Sequence, residues 1–546
     1  MKQASIALRL LSSVICLILI FTLCACNRSQ GGETKLPVSS DASSTDSSAD
    51  SSADSSDITD DESETHNTVS VHPISGEINA VGSIVSAEVA ETEKSVQLYD
   101  ADLSTSLKGY AEKEATARRN EILKTPNTEE LYDIKGTKYY ISGDGDDKND
   151  GRTPETAFKT IDALELVDLN KGDAVLFERG YVYRFKRTIS VKSGITYGSY
   201  GKGNKPAIYG SPFNAAKSVW TPSKKKNVWQ TDFSFERACG VFFDYGTSFG
   251  SLKNAGIGAL DKNGDFYHDY LGGTIYVYSD KGNPANVYES IEISPSMHIF
   301  RLDGVKDVVI DNFSIKYGSY GVVGGMWENV YVTNCEMGYI GGMVGTDVRR
   351  GNAIEFMSND NSNVFCDHNW IYQTFDSAIT WQGYSSSGSI YKNISFSDNL
   401  LEYNNADFEF WEDEGVIIDG FVMDNNIMRF TSLGWGTREG IRGIEGCYLG
   451  NLREMIILEP IEMTNSIIDC PGRQIVNLKA NVEQKNQFVT ANNKYFVKGS
   501  YRTLDVVLKY FPDEVAAAGD IKAYNLEGLK QAFSRFDPTA ELKWYK

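Results

Sequence analysis

VVIDNFSIKY, residues 308–317, opens a series that continues as VYVTNCEMGY (330–339), VFCDHNWIYQ (364–373), ISFSDNLLEY (394–403) and FVMDNNIMRF (421–430). Each unit runs from a β-branched or aromatic stretch through a short polar corner into a second apolar stretch. Each carries an asparagine near its middle: Asn312, Asn334, Asn369, Asn399 and Asn426, at spacings of 22, 35, 30 and 27 residues. A unit of this size cannot bury its apolar face alone and must stack on its neighbours. Asn465 and Asn493 extend the series through two further coils, at spacings of 39 and 28. Stacked asparagines bond to one another and to backbone, so their role reads as structural rather than catalytic.

A second set of strands follows the units. Asn352–Met357, Ser377–Gln382 and Ala406–Trp411 align by alternation. Side chains on a strand alternate faces. Ile354, Ile379 and Phe408, with Phe356, Trp381 and Phe410, form the set expected to face inward. Glu355, Met357, Thr380, Gln382, Asp407, Glu409 and Trp411 are then expected to face out. Coils stack about 4.8 Å apart, so Glu355 and Glu409 would share a row roughly 10 Å apart, with Thr380 between. Asp407 and Glu409, at i and i+2, would stand about 6–7 Å apart.

Two carboxyl groups about 6.5–9.5 Å apart suit an inverting glycosidase, because a water must fit between base and sugar. Like charges side by side push one carboxyl toward its acid form. A tryptophan offers a flat apolar surface to a sugar ring. Asp376, at the turn before the middle strand, is within reach of the same face. The candidate catalytic residues are therefore Glu355, Asp376, Asp407 and Glu409. The candidate substrate-binding residues are Gln382, Trp411, Arg349 and Arg438, the arginines matching the fork geometry of a uronate carboxylate, as Arg350 also would. Against this stands the ordinary reading of each: solvated side chains of an outer sheet, a turn-capping Asp376, and a Trp411 that only covers the surface. The run Glu412–Glu414 is a solvated loop or a calcium site, His368 beside the asparagines reads as structural, and His268 and His298 have no evident partner.

Upstream, residues 137–184 read as strand (Tyr139 to Ser142), loop (SGDGDDKNDG), helical spacing (Thr156 to Leu166) and strand again (DAVLFERG). This opening resembles that of right-handed parallel β-helix proteins of the pectin-lyase-like class. The matching residues are Tyr139, Ser142, Gly143, Asp146, Asn149, Gly151, Pro154, Phe158, Thr160, Ile161, Gly172-Asp173 and Gly180. The resemblance implies an all-β solenoid whose open end is covered by a short helix. Asp144, Asp146 and Asp150 invite a calcium reading, but Lys148 occupies a ligand position and no Glu closes an EF-hand loop. Residues 215–290 change character to Tyr/Phe/Val strands separated by hairpin-like turns, predicting an inserted antiparallel β module. Residues 101–136 are predicted to be a helical lead-in, and 501–546, with TLDVVLKYFPDEVAAAG and NLEGLKQAFSRFD, a helical C-terminal cap to a β-helix spanning 137–500.

The N-terminus reads as an address. Lys2 and Arg9 precede an apolar run from Leu10 to Leu23, which is short for a membrane span. Leu23-Cys24-Ala25-Cys26 resembles the lipobox of bacterial lipoproteins, which implies a signal peptide over 1–26 and lipid on Cys26. Residues 27–100, rich in Ser and Asp, cannot bury enough surface to fold and read as a disordered tether. The formal charge of −21 divides into +2 for the signal, −12 for the tether and −11 for the remaining 446 residues. That balance gives no basic face for nucleic acid. Cys239, Cys335, Cys366, Cys447 and Cys470 have no metal-ligand spacing and read as buried thiols; no metal site is expected.

The pectin-lyase-like class holds hydrolases, lyases, epimerases, esterases and adhesins, so fold alone does not choose. The first expectation is a surface-anchored, monomeric enzyme that cleaves glycosidic bonds of a polysaccharide or oligosaccharide without a cofactor. Paired-Asp and Gly-His-Gly signatures of polygalacturonases are missing from the sequence. A polysaccharide lyase, the second expectation, would use Lys392 or Arg438 as base and calcium held by Glu412–Glu414. A glycan-binding adhesin is the third.

Overall fold

A backbone that turns a sharp corner needs a residue that tolerates positive φ, and asparagine and aspartate do so more readily than other side-chain-bearing residues. The computed structural model describes residues 88–89, 108–345, 348–357, 359–383, 387–412, 414–437, 446–452, 454–472, 474–479, 487–499 and 523–546. Its corners stand at Asn312 (φ 66°), Asn334 (56°), His368 (57°), Asp398 (59°), Asn425 (54°), Asn465 (55°) and Asn492 (59°). The recurring asparagines of the sequence therefore belong to two ladders. Asn312 and Asn334 make the corner itself, whereas Asn369, Asn399 and Asn426 stand one residue later and are fully buried.

The buried ladder bonds one coil to the next. Asn369 Oδ1 accepts from Cys335 N, Asn399 Oδ1 from Asn369 N (both 2.9 Å), and Asn426 Oδ1 from Asn399 N (3.0 Å). Ser466 and Asn493 carry the ladder onward. The amide groups of Asn369, Asn399, Asn426 and Asn493 donate to the carbonyls of Val332, Cys366, Phe396 and Met463. Each corner thus satisfies backbone groups that would otherwise be buried without a partner.

Three long sheets result. A groove sheet runs 189–190, 298–303, 320–325, 354–357, 377–383, 406–412, 446–451 and 474–479. A second sheet of ten stacked strands runs from Lys138–Ile141 to Phe488–Ala491, and a third ends at Glu541–Tyr545. Within these sheets every pairing is parallel except that of 88–89. The chain visits the second sheet, turns the asparagine corner into the third, then enters the groove sheet of the next coil. This is a right-handed parallel β-helix, the hand that parallel crossovers adopt. Its interior is a stack of apolar residues, with Phe356, Trp381 and Phe410 in successive coils 6.1 and 4.9 Å apart. Cys239, Cys335, Cys366, Cys447 and Cys470 are free and buried.

Both ends are covered. At the start, two 3-10 turns, Pro154–Thr156 and Ile161–Leu166, take the place of the short α-helix expected there, and lay Phe158, Ala163 and Leu164 on the core. At the other end the α-helix Leu526–Phe536 inserts Leu529, Ala532, Phe533 and Phe536 into the same core. The lead-in helix Glu112–Leu123 lies along the third sheet, where Arg119 meets Glu402 at 2.7 Å. Residues 1–87, the lipobox and most of the tether among them, and the Thr503–Gly519 helix expectation lie outside the described residues. No helix among the described residues is long and apolar enough to cross a membrane.

Between two early coils the chain builds a mainly antiparallel insert of five- and three-stranded sheets with its own core, including Phe233, Val241, Phe266 and Ile293. A buried two-bond pair, Arg184 to Glu292 at 2.7 and 2.7 Å, joins it to the solenoid. Phe242 packs on Tyr317, Tyr339 and Trp435, so the insert flanks the turns that lead into the groove sheet.

Candidate active site on the groove sheet

The groove sheet aligns Ile354 with Ile379 and Phe408, and Glu355 with Thr380 and Glu409. Met357, Gln382 and Trp411 form the next outward row. The alternation fails at the same point in several coils. Ile299 and Phe300, Ala353 and Ile354, Ala378 and Ile379, Cys447 and Tyr448 are adjacent pairs that all join the core. Two consecutive residues thus face inward where these strands begin. Asp407 occupies the first of these two places, beside Phe408.

The expectation that Asp407 stands on the outer face is accordingly corrected. Its carboxyl is wholly buried, accepts from Thr431 Oγ1 and from Asn404 Nδ2 (3.3 Å), and lies beside the Cys447 thiol. Burial pushes it up to about 7, against the pull of the Thr431 and Asn404 hydrogen bonds.

The same irregularity turns Asn352 and Ser377 outward, and they link the two groove glutamates. Asn352 Nδ2 donates to Glu355 Oε2 (2.8 Å), and Asn352 Oδ1 accepts from Ser377 N (2.9 Å). Ser377 Oγ then donates to Glu409 Oε2 (2.5 Å), which also accepts from Gln382 Nε2 (2.9 Å). Glu355 and Glu409 are each 4% exposed. Burial pushes the Glu355 carboxyl up to about 7; the nearby Asp376 charge adds to this, while Asn352, Arg350 and Arg301 oppose it. Two donors thus converge on one oxygen of Glu409. The row therefore presents two buried carboxyl groups two coils apart, roughly 10 Å between strands, one of them pushed up to about 7.

Asp376 holds the neighbouring turn. Its Oδ1 accepts from Arg349 Nη2 (2.8 Å), which also reaches Phe375 O (3.1 Å). Arg349 and Arg350 come from the short hairpin Gly342–Val344 and Val348–Arg350. Arg349 is thus engaged by Asp376, and Arg350 Nη1 donates to Tyr320 OH (3.2 Å). Trp411, 37% exposed, stands at the rim beside Gln382.

Three groups that sequence reading left unassigned stand on the same face: Arg301, His298 and Tyr320. His298 and Tyr320 pair across adjacent coils, with rings 5.0 Å apart. Arg301 shares the row of Glu355, with Val323 between them. Only their register with Glu355 and Asn352 marks them, and coils of unequal length hide it.

Other candidates fall elsewhere. Lys392 lies on the second sheet, its Nζ 2.8 Å from Asp419, so the lyase base expected there is away from the groove. Arg438 and Asp413 are outside the described residues. Asp144, Asp146 and Asp150 serve local structure, accepting from Tyr181 OH, Lys148 N and Arg152 N respectively. His368 bonds Asn334 in the corner ladder (2.6 Å), and His268 is held between Ala238 N and Phe233 O. Among the described residues no group of three or more His, Cys, Asp or Glu side chains is arranged to hold a metal ion.

No family model matches the chain, and no curated protein does. Several solved structures are similar to it. A glycoside hydrolase family 136 lacto-N-biosidase from Eubacterium ramulus aligns at 16% identity over 68% of this chain and 65% of its own, slightly under two thirds of that protein's length, with a TM-score of 0.34. XylC in complex with xylose aligns at 12% identity over 75% and 82% of the two chains, with a TM-score of 0.35. A family 28 exopolygalacturonase from Yersinia enterocolitica aligns at 12% identity over 67% and 72%, with a TM-score of 0.27.

Proposed function

We propose that this chain is a carbohydrate-active enzyme that hydrolyses glycosidic bonds of a polysaccharide or oligosaccharide along the groove sheet. The observation that carries this reading is the pair Glu355 and Glu409, two carboxyls of one row joined through Asn352 and Ser377. One is buried and pushed up to about 7, and the other accepts two donors in the same row. Glu355 gives its proton to the leaving glycosidic oxygen as the bond to the anomeric carbon breaks. Glu409 takes a proton from a water that attacks that carbon from the opposite face. A spacing of two coils, roughly 10 Å between strands, leaves room for the water and stands at the wide end of what inversion uses. Asn352, Ser377 and Gln382 hold both carboxyls in place. Trp411 offers a stacking surface at the rim. Arg349 holds Asp376 in an ion pair, and Asp376 supports the turn without taking part in proton transfer.

In this reading the enzyme works outside the cell, tethered by lipid on Cys26 through residues 27–100. A Cys26→Ser chain would then be released into the medium, whereas continued membrane retention would sink the anchor. The catalytic test is turnover on a panel of glycans, read as new reducing ends. Glu355→Gln and Glu409→Gln are each expected to lose about 10²–10⁴-fold in kcat. Unchanged rates in both variants, or no turnover of any glycan by the parent, would favour a binding protein instead.

A further inference from the structure

Past Glu355, toward the start of the solenoid, the character of the groove changes. The row continues as Glu355, Val323, Arg301. Val323 is buried despite its place on the outer face. Arg301 donates through Nε to Asp303 (2.7 Å), and its Nη1 stands 3.4 Å from His298 Nδ1. Arg350 approaches from the hairpin and lies over the Tyr320 ring, 5.5 Å from its centre, while donating to the phenol oxygen. His298 packs edge-on against that same ring. Two guanidinium groups therefore gather on one histidine and one tyrosine. Asp303 is the exposed acid beside Arg301, Asp376 is engaged by Arg349, and the Glu355 carboxyl, pushed up to about 7 by burial, lies close enough to feel both Arg301 and Arg350.

This arrangement disfavours a charge on His298, which burial and then Arg301 and Arg350 push down to about 4. Two guanidinium charges held close to one neutral imidazole repel each other, and an anion arriving between them would relieve that repulsion. It occurs in a chain whose net charge is −21. Guanidinium groups match the planar oxygens of carboxylates and sulfate esters, and a neutral imidazole and a phenol add directional hydrogen bonds.

We infer that Arg301 and Arg350, with His298 and Tyr320 between them, form a subsite that takes the anionic group of an acidic sugar, a carboxylate or a sulfate ester, on the Arg301 side of the cleaved bond. The subsite rests on the glycan-cleaving reading of the same groove, and it names the substrate class: an acidic glycan.

The test is calorimetric binding of three oligosaccharide sets of equal length, one neutral, one containing uronate and one sulfated, to the parent chain and to Glu355→Gln, Arg301→Gln and Arg350→Gln. One or both acidic sets are expected to bind at least about tenfold more tightly than the neutral set. Whichever acidic set shows the preference identifies the anion. The preference is expected to shrink as salt rises, to be lost in either arginine variant, and to return in part with Arg301→Lys. Glu355→Gln is expected to keep the preference. Equal affinity for all three sets, or an acidic preference that survives both arginine substitutions, overturns the inference. The catalytic reading fails separately, if Glu355→Gln keeps full turnover, whatever the binding ratios are.

Discussion

Glu355 and Asp407 are both buried acids held near neutrality, yet one faces the groove and the other faces the core. Both are raised from the ordinary carboxylate range to about 7. The folded chain therefore holds these protons more tightly than the unfolded chain does. Their contribution to stability is fully present below the unfolded values near 4, and is lost as pH rises through 7. Glu355→Gln and Asp407→Asn remove this liability. At pH 8.5 Glu355→Gln should raise Tm relative to the parent by the equivalent of about 3 kcal/mol and Asp407→Asn by about 4 kcal/mol, and both by far less at pH 4.5. Activity separates the two: Asp407→Asn should retain turnover and Glu355→Gln should lose it. Thermal unfolding at both pH values decides the first point, and a Tm difference independent of pH would sink it. The sequence displays the row of Glu355 and Glu409 because stacked parallel strands keep register. It conceals the place of Asp407. Ala353-Ile354 and Ala378-Ile379 look like ordinary apolar pairs, so the extra inward residue leaves no polar signature.

At the scale of the turn, the asparagines do two different jobs at neighbouring positions. Asn425 supplies a left-handed backbone (φ 54°) and its amide is at the surface, bonded to Asp398. Asn399, one coil earlier and one residue deeper in its corner, accepts from Asn369 N and donates to Cys366 O. Replacing Asn399 by Ala would leave a buried N–H and a buried carbonyl without partners, at about 1–3 kcal/mol each. Replacing Asn425 by Gly keeps the corner conformation and should cost well under half as much. Urea unfolding of the two variants measures this contrast, and equal losses would contradict the two-ladder account. The sequence makes the repeat visible because asparagine recurs. Coil lengths differ, however, and adjacent polar residues such as Asp398-Asn399 and Asn425-Asn426 leave the left-handed position open by one residue. The hairpin that brings Arg349 and Arg350 over the groove is equally hidden, since it is a short loop excursion between two strands with no period of its own.

Over the whole molecule, each coil touches mainly the coils before and after it, so stability is close to a sum of local coils and their interfaces. The last coil is then the weak point unless something closes it. The helix Leu526–Phe536 does so by placing Leu529, Ala532, Phe533 and Phe536 in the core, and Asp537 Oδ2 ends the buried ladder by accepting from Asn493 Nδ2 at 2.7 Å. Glu541–Tyr545 then pairs with Lys494–Lys498 along the third sheet. A chain ending at residue 499 would lose all three contacts. It would expose the apolar faces of Tyr495 and Val497 and leave open strand edges, which template association. The expected outcome is graded: hydrogen exchange should accelerate most in 488–498, less in 461–469, and hardly at all in 314–340, with concentration-dependent aggregation. Phe533→Asp offers a milder version of the same lesion, leaving the C-terminal strand in place while burying a charge against Tyr495, whose ring centre is 4.1 Å from that of Phe533. Uniform acceleration across all coils in both chains would mean that the solenoid unfolds as one cooperative block. The closing helix would then stabilise the groove sheet as directly as it stabilises its own end.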